Sequence, residues 1–272
     1  MKNKKLIRII AGVIAAALFI LACGCGAENE TDVKDDSLQK VLDAGKLILG
    51  FDTEFPPMGF VDESGESVGF DIDVAREVCS RLGIELVCQG IDWDTKEEYL
   101  NDGRIDCIWN GMSVTPNRAE AMTLSEPYMK NELIFVAAGS SDVKELKDLV
   151  GKKVGVQTGS TAQDALEASD IFADVIMVES DTQQENVRKL FDGEVDAALL
   201  DSVAAYYSIF SSNDKYYILP ETLGREEYAI GFRKGDLALR DAVQETISAM
   251  KADGTLGEIS TKWFGSDITT VI

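Results

Sequence analysis

Asn110, Gly111, Ser113 and Arg118 are the residues whose types and spacing point most directly to chemistry. They lie in the stretch Asp106-Cys107-Ile108-Trp109-Asn110-Gly111-Met112-Ser113-Val114-Thr115-Pro116-Asn117-Arg118, where an apolar strand runs out into small polar residues. In an open α/β sheet, ligands sit beyond the carboxyl ends of the strands. There Asn110, Gly111 and Ser113 expose backbone N–H, backbone C=O and a hydroxyl with little side-chain bulk in the way. Arg118 adds a fork of donors shaped for a carboxylate. The stretch reads as a site for a small molecule carrying a carboxylate. The competing reading of Arg118 is an exposed arginine in the first turn of a helix after Thr115-Pro116.

The elements that must position these residues alternate between strand and helix. Leu47–Gly50 is a short apolar strand. Ile72 to Leu82 carries an apolar stripe at 72, 75, 78, 79 and 82 and is closed by Gly83, the pattern of an amphipathic helix. Ile84–Cys88 reads as a strand, Thr95–Leu100 as a helix and Ile105–Trp109 as a strand. The alternation predicts α/β architecture, a mostly parallel sheet with helices on its faces. The pattern then repeats. GKLILG at 45–50 is echoed by GKKVGV at 151–156, and DGRIDCIWN at 102–110 by DGEVDAALLD at 192–201. Each of the latter pair is a helix end with glycine at C′, followed by a buried strand and a polar residue at its carboxyl end. Two similar lobes with strand ends facing a shared cleft explain the repeat, and such clefts favour ligands. Asp201 then sits at the cleft end of the second strand, or caps a helix starting at Val203. The helical stretches 237–252 and 256–264 follow the second lobe, while the first lobe lacks cover. The chain is therefore expected to cross back and complete lobe 1.

The 272 residues carry a net charge of −22 and no histidine. The charge leaves no basic stripe for phosphates, which excludes nucleic-acid binding. The missing histidine removes Ser-His-Asp catalysis and His-ligated zinc, and no metal or other cofactor is called for. Lys2, Lys4, Lys5 and Arg8 precede an apolar run from Ile9 to Ala22, a signal-peptide pattern too short for a comfortable membrane span. Ile20-Leu21-Ala22-Cys23-Gly24 resembles a bacterial lipobox, which implies cleavage before Cys23, diacylglycerol on its thiol and anchoring by acyl chains. Cys25 is the weaker candidate for the lipidated residue, and an ordinary secretory signal is the plainer reading. Residues 1–22 are thus assigned to a signal peptide and 23–36 to a disordered polar tether. Of the three other cysteines, Cys79 and Cys88 are close enough along helix and strand for a disulfide. The apolar surroundings of Cys79, Cys88 and Cys107 favour buried thiols instead.

Gly69-Phe70-Asp71-Ile72-Asp73-Val74, with Val78, Cys79 and Leu82, closely resembles the signature of the family 3 bacterial solute-binding proteins, the polar amino-acid receptors of ABC importers. The likeness covers roughly residues 37–267. It implies a two-lobe, type II periplasmic-binding-protein fold that closes on its ligand, with crossover hinge strands near 128–133 and 221–228. The lobes would be 37–130 with 228–272, and 131–227. In the family's pattern Arg118 matches the arginine that grips the ligand α-carboxylate, joined by N–H groups of Gly159-Ser160-Thr161. Asp201 matches the aspartate on the α-ammonium, helped by the Ser113 hydroxyl and the Asn110 carbonyl. Phe55 and Trp93 match the aromatics that sandwich the ligand side chain, and Asp52 an acid that meets it in some relatives. Glu54 is expected to be solvated. Ala162 stands where some relatives carry a glutamine. The implied protein is a lipid-anchored monomer on the extracytoplasmic face of the bacterial cell membrane, with a free polar amino acid and a permease as partners. Glutamine, arginine, lysine or another polar amino acid suits its pocket, and cystine is left open. An enzyme of the same fold, a dehydratase acting on cyclohexadienyl carboxylates, is the alternative, with Asp52 or Glu54 as its acid.

Overall fold

The computed structural model describes residues 35–211 and 216–272. The expected signal peptide, Cys23, Cys25 and the tether up to residue 34 lie outside the described residues. Asp35 belongs to the folded unit rather than to a tether: its carboxylate accepts the N–H of Ser37 and of Ala238.

Lobe 1 is built on a five-stranded sheet. Helix α1 (Ser37–Ala44) ends at Gly45 and leads into β1 (Lys46–Phe51). A small antiparallel sheet, β2 (Glu54–Phe55), β3 (Gly59–Val61) and β4 (Ser67–Val68), precedes helix α2 (Phe70–Leu82). Then come β5 (Glu85–Gly90), α3 (Lys96–Asn101), β6 (Cys107–Ile108), α4 (Pro116–Ala121) and β7 (Thr123–Leu124). β8 (Met129–Ala138) carries the chain into lobe 2, which continues as β9 (Lys153–Gln157), α5 (Thr161–Glu167), β10 (Ile176–Ser180), α6 (Gln183–Phe191), β11 (Ala197–Asp201) and α7 (Ser202–Ser211). β12 (Tyr216–Tyr228) brings it back. β13 (Gly231–Phe232), α8 (Leu237–Asp253) and α9 (Thr255–Phe264) then complete lobe 1.

The two main sheets run β5-β1-β6-β13-β7 and β10-β9-β11-β8-β12. Each has a parallel core, β1 between β5 and β6, and β9 between β10 and β11. Their other members are antiparallel, so the sheets are mixed rather than mostly parallel. The antiparallel strands in lobe 2 are the crossovers. β8 and β12 pair side by side from Met129 opposite Tyr228 to Ala138 opposite Tyr216. The returning β13 slots between β6 and β7, which is how the late helices come to cover lobe 1.

Helices on both faces explain the apolar runs, since a strand buried on two sides need not alternate. In β11, Ala197 and Leu199 enter one core and Ala198 and Leu200 the opposite one. In β1, Leu47, Leu49 and Phe51 pack under α2 and α8, while Ile48 faces the cluster of Leu100, Ile105 and Met112. The repeated DG pairs end α3 and α6 alike, with Gly103 and Gly193 in left-handed conformations after right-handed Asp102 and Asp192. The observed β6 is shorter than the expected strand, although the Asp106 N–H still donates to Ile48 C=O and the Trp109 N–H to Gly50 C=O just beyond its ends. Cys79, Cys88 and Cys107 are free thiols, two buried and Cys88 half-buried. Burial pushes Cys79 up to about 12 and Cys107 well above its usual value.

Candidate functional site

The strand ends of the two lobes meet around one small cavity. Asp52, Phe55, Trp93, Asn110, Gly111, Ser113, Arg118, Ser160, Thr161 and Asp201 all line it. Gln157 and Gln183 complete the wall. Sequence reasoning missed both. Each sits where a strand meets a helix, at the end of β9 and the start of α6, and a neutral amide there gives no distinctive signal.

Thr115 caps α4 by accepting the Arg118 N–H at 3.1 Å, with Pro116 at the first helical position. This short helix turns Arg118 inward, and only 7% of the residue is exposed. The exposed-arginine reading is thereby overturned. Its Nη1 donates to Ser113 C=O at 2.9 Å and its Nη2 to Gly159 C=O at 3.4 Å. Both acceptors are neutral, and no carboxylate forms an ion pair with Arg118 among the described residues. Burial pulls the guanidinium pKa below its usual value. Lys96 lies next to it, donating to Trp93 C=O at 2.9 Å and to Gly159 C=O at 3.0 Å. Burial, with Arg118 as a like charge, brings Lys96 down to about 8.

Asp201 ends β11 and is 6% exposed, while α7 begins with the next residue. Its carboxylate accepts Asn131 Nδ2, Gln183 Nε2 and, at 2.9 Å, the Tyr228 hydroxyl. A carboxylate offers about four lone-pair sites, so one remains for a further donor. Burial, reinforced by the Glu226 charge, pushes Asp201 up to about 7. Glu226, Asn131 and Tyr228 were not anticipated. They lie on the crossover strands, whose sequence shows a hinge but not which side chains face the cleft.

Two expected N–H donors and the Ser113 hydroxyl proton are already engaged, which leaves the Ser113 oxygen as an acceptor. The Gly111 N–H goes to Asp71 Oδ2 at 2.7 Å, the Gly159 N–H to Gln163 Oε1 at 2.9 Å, and the Ser113 hydroxyl to Glu226 Oε2 at 2.8 Å. The first N–H groups of α5, which starts at Thr161, have no intrahelical partner. Asn110 is also structural in part: its Oδ1 accepts the Asp52 N–H at 3.0 Å and so joins β1 to β6.

At the other end, the Asp52 carboxylate accepts the Glu54 N–H at 2.8 Å and Gln157 Nε2, from the opposite lobe, at 2.8 Å. Burial raises Asp52 to about 6. Phe55 and Trp93 are both buried against the cavity. Glu54 is not simply solvated. It accepts the Thr182 hydroxyl at 2.9 Å and pairs with Arg188 at 3.0 Å, both on lobe 2. The lobes are therefore in contact across the cleft, in a closed arrangement.

The family description "bacterial extracellular solute-binding proteins, family 3" matches residues 47–266. The chain belongs to that family. Among its relatives, the L-cystine-binding protein TcyJ of Escherichia coli K12 is 31% identical over 263 residues, 96% of each chain. Two solved structures share the type II fold of amino-acid-binding proteins. Tv2483 bound to L-arginine has a TM-score of 0.84 and 31% identity, covering 88% of this chain and 98% of that one. A substrate-binding protein of an ABC uptake transporter from Streptococcus pneumoniae, with bound histidine, has a TM-score of 0.83 and 38% identity, covering 87% and 99%. These relatives are named for binding, and this family 3 chain is a solute-binding protein rather than an enzyme.

Proposed function

We propose that the protein captures a free polar amino acid between its lobes and delivers it to an ABC importer. In this reading it is held on the extracytoplasmic face of the membrane by a lipid on Cys23. The observation that carries the binding step is a pair of buried opposite charges, Arg118 and Asp201, on the wall of one small cavity with only neutral groups bonded to each. A buried charge is costly unless it is paired. A zwitterion supplies both missing partners at once, its carboxylate to Arg118 and its ammonium to Asp201. Closure then removes water and strengthens both contacts. The named ligands of the relatives, cystine, arginine and histidine, share this head group. The membrane anchor rests on the lipobox and tether read from the sequence.

The test is calorimetric titration of the purified protein with the common amino acids and cystine. At least one should bind, and Arg118→Ala should reduce its affinity at least a hundredfold. Breaking one side of such a buried contact costs about 3–5 kcal/mol. A folded Arg118→Ala protein that binds like the wild type would sink the assignment, as would a wild-type protein that binds no amino acid.

A further inference from the structure

Asp71, the second residue of α2, is fully buried and lies behind the cavity wall, not on it. Its Oδ2 accepts two hydrogen bonds from distant parts of the chain. One comes from the Gly111 N–H at 2.7 Å, the other from the Tyr128 hydroxyl at 2.9 Å. Gly111 belongs to the turn that forms the lobe 1 wall of the cavity. Tyr128 immediately precedes β8, the first crossover strand. Asp71 is itself held firmly, because its backbone N–H donates to Met58 C=O at 2.8 Å. Its place in the first turn of a helix also favours the negative charge.

The surroundings connect this group to the other half of the site. The Tyr128 ring stacks on Phe70, centroids 6.3 Å apart, and lies 6.4 Å from the Tyr228 ring on the second crossover strand. Tyr228 donates its hydroxyl to Asp201 at 2.9 Å. Its ring also packs on the Gly111 turn, 3.2 Å from where a Cβ on Gly111 would stand.

We propose that Asp71 is a positioning residue for the ligand site, its carboxylate tying the Gly111 turn to Tyr128 so that the lobe 1 wall and the first hinge strand behave as one piece. Gly111 has a φ of +58°, and the space for a side chain is already filled by Phe55, so Gly111 can be anchored only through its backbone. The Asp71 oxygen is the acceptor for that backbone N–H, and a buried N–H left without one is costly. Burial pushes Asp71 up to about 7, and a carboxyl oxygen accepts in either protonation state. A ligand head group seated on the turn is thereby connected through one oxygen atom to the strand that bends on closure.

This inference rests on the cavity being an amino-acid site. The experiment compares the full wild-type chain with Asp71→Asn, Asp71→Ala and Tyr128→Phe. Each is titrated with two wild-type ligands that differ in side chain, and dissociation is followed by stopped-flow tryptophan fluorescence. Asp71→Ala should weaken both ligands at least tenfold and by the same factor, because the turn meets the shared head group. Asp71→Asn keeps an acceptor oxygen and should recover affinity to within about threefold of wild type. Tyr128→Phe leaves the Gly111 bond intact and should speed dissociation severalfold without slowing association. The proposal is overturned if folded Asp71→Ala binds like the wild type, if its losses differ between ligands, or if Asn fails to restore binding. Should Asp71→Ala not fold, unchanged dissociation in Tyr128→Phe or a large loss in Asp71→Asn overturns it equally. Binding by the wild type with no effect of any variant refutes the Asp71 tie alone. No binding by the wild type refutes the amino-acid reading itself, and this inference with it.

Discussion

Asp52 carries a carboxylate into the cavity with 5% of the residue exposed, and burial raises it from 3.8 to about 6. A carboxyl raised on folding holds its proton more tightly in the folded state. Its contribution to stability is therefore full below about pH 4 and is lost as pH rises through about 6. Asp52→Asn keeps an oxygen for the Glu54 N–H and removes the buried charge. A rise of that size corresponds to about 3 kcal/mol, part of which is forfeited where the new amide meets Gln157 Nε2. The ligand-free variant should be about 1–2 kcal/mol more stable than wild type at pH 7.5, with that advantage shrinking as pH falls below 6 and reversing before pH 4. Thermal melts across that range measure it. A variant no more stable than wild type at pH 7.5 would show that Asp52 is stabilised in some further way. The same change should weaken arginine or lysine far more than a neutral amino acid, since only a cationic side chain needs the charge.

At the scale of elements, β2 and α6 meet through a contact that residue types alone did not reveal. Glu54 reads as solvated because acids beside a Pro-Pro turn usually are. It becomes a bridge only because α6 from the other lobe presents Thr182 and Arg188 to it. That is information about lobe closure, which no local pattern contains. By contrast, Arg118 and Asp201, which do line the cavity, are read as site residues through the family resemblance; residue types alone leave Arg118 as an exposed arginine and Asp201 as a helix cap. Gln157 and Gln183 are not legible either way, since their importance comes from what lies opposite. The Glu54–Arg188 pair is about half exposed, 44% and 53%, so it should contribute at most about 1 kcal/mol. Since it exists only when the lobes touch, that energy belongs to the closed state. Arg188→Ala should speed ligand dissociation by up to about fivefold and leave association unchanged. Wild-type dissociation should quicken with salt toward the variant's rate, while the variant's stays flat. A salt-insensitive wild type would remove the bridge from the closure energetics.

For the whole molecule, the two-lobe plan was readable from the repeat and from the uncovered first lobe. The insertion of β13 between β6 and β7 was not, because strand order depends on pairing partners distant in sequence. In the proposed function the lobes shut on the ligand, and Gly159 is a point where they meet closely. Its carbonyl on lobe 2 accepts both Lys96 and Arg118 from lobe 1. A Cβ there would stand 2.8 Å from the Asp94 Cα, a backbone atom with little freedom to move aside. The residue also has a φ of +68°, which costs a non-glycine residue roughly 1–2 kcal/mol. Gly159→Ala should therefore leave each lobe folded and hold the cleft partly open. Affinity for every amino acid should fall at least tenfold, as two cations lose their shared acceptor and water enters the cavity. Small-angle scattering should show a radius of gyration that shrinks when ligand saturates the wild type but not the variant. If the variant contracts on ligand as the wild type does, with undiminished affinity, closure does not pass through the Gly159–Asp94 contact.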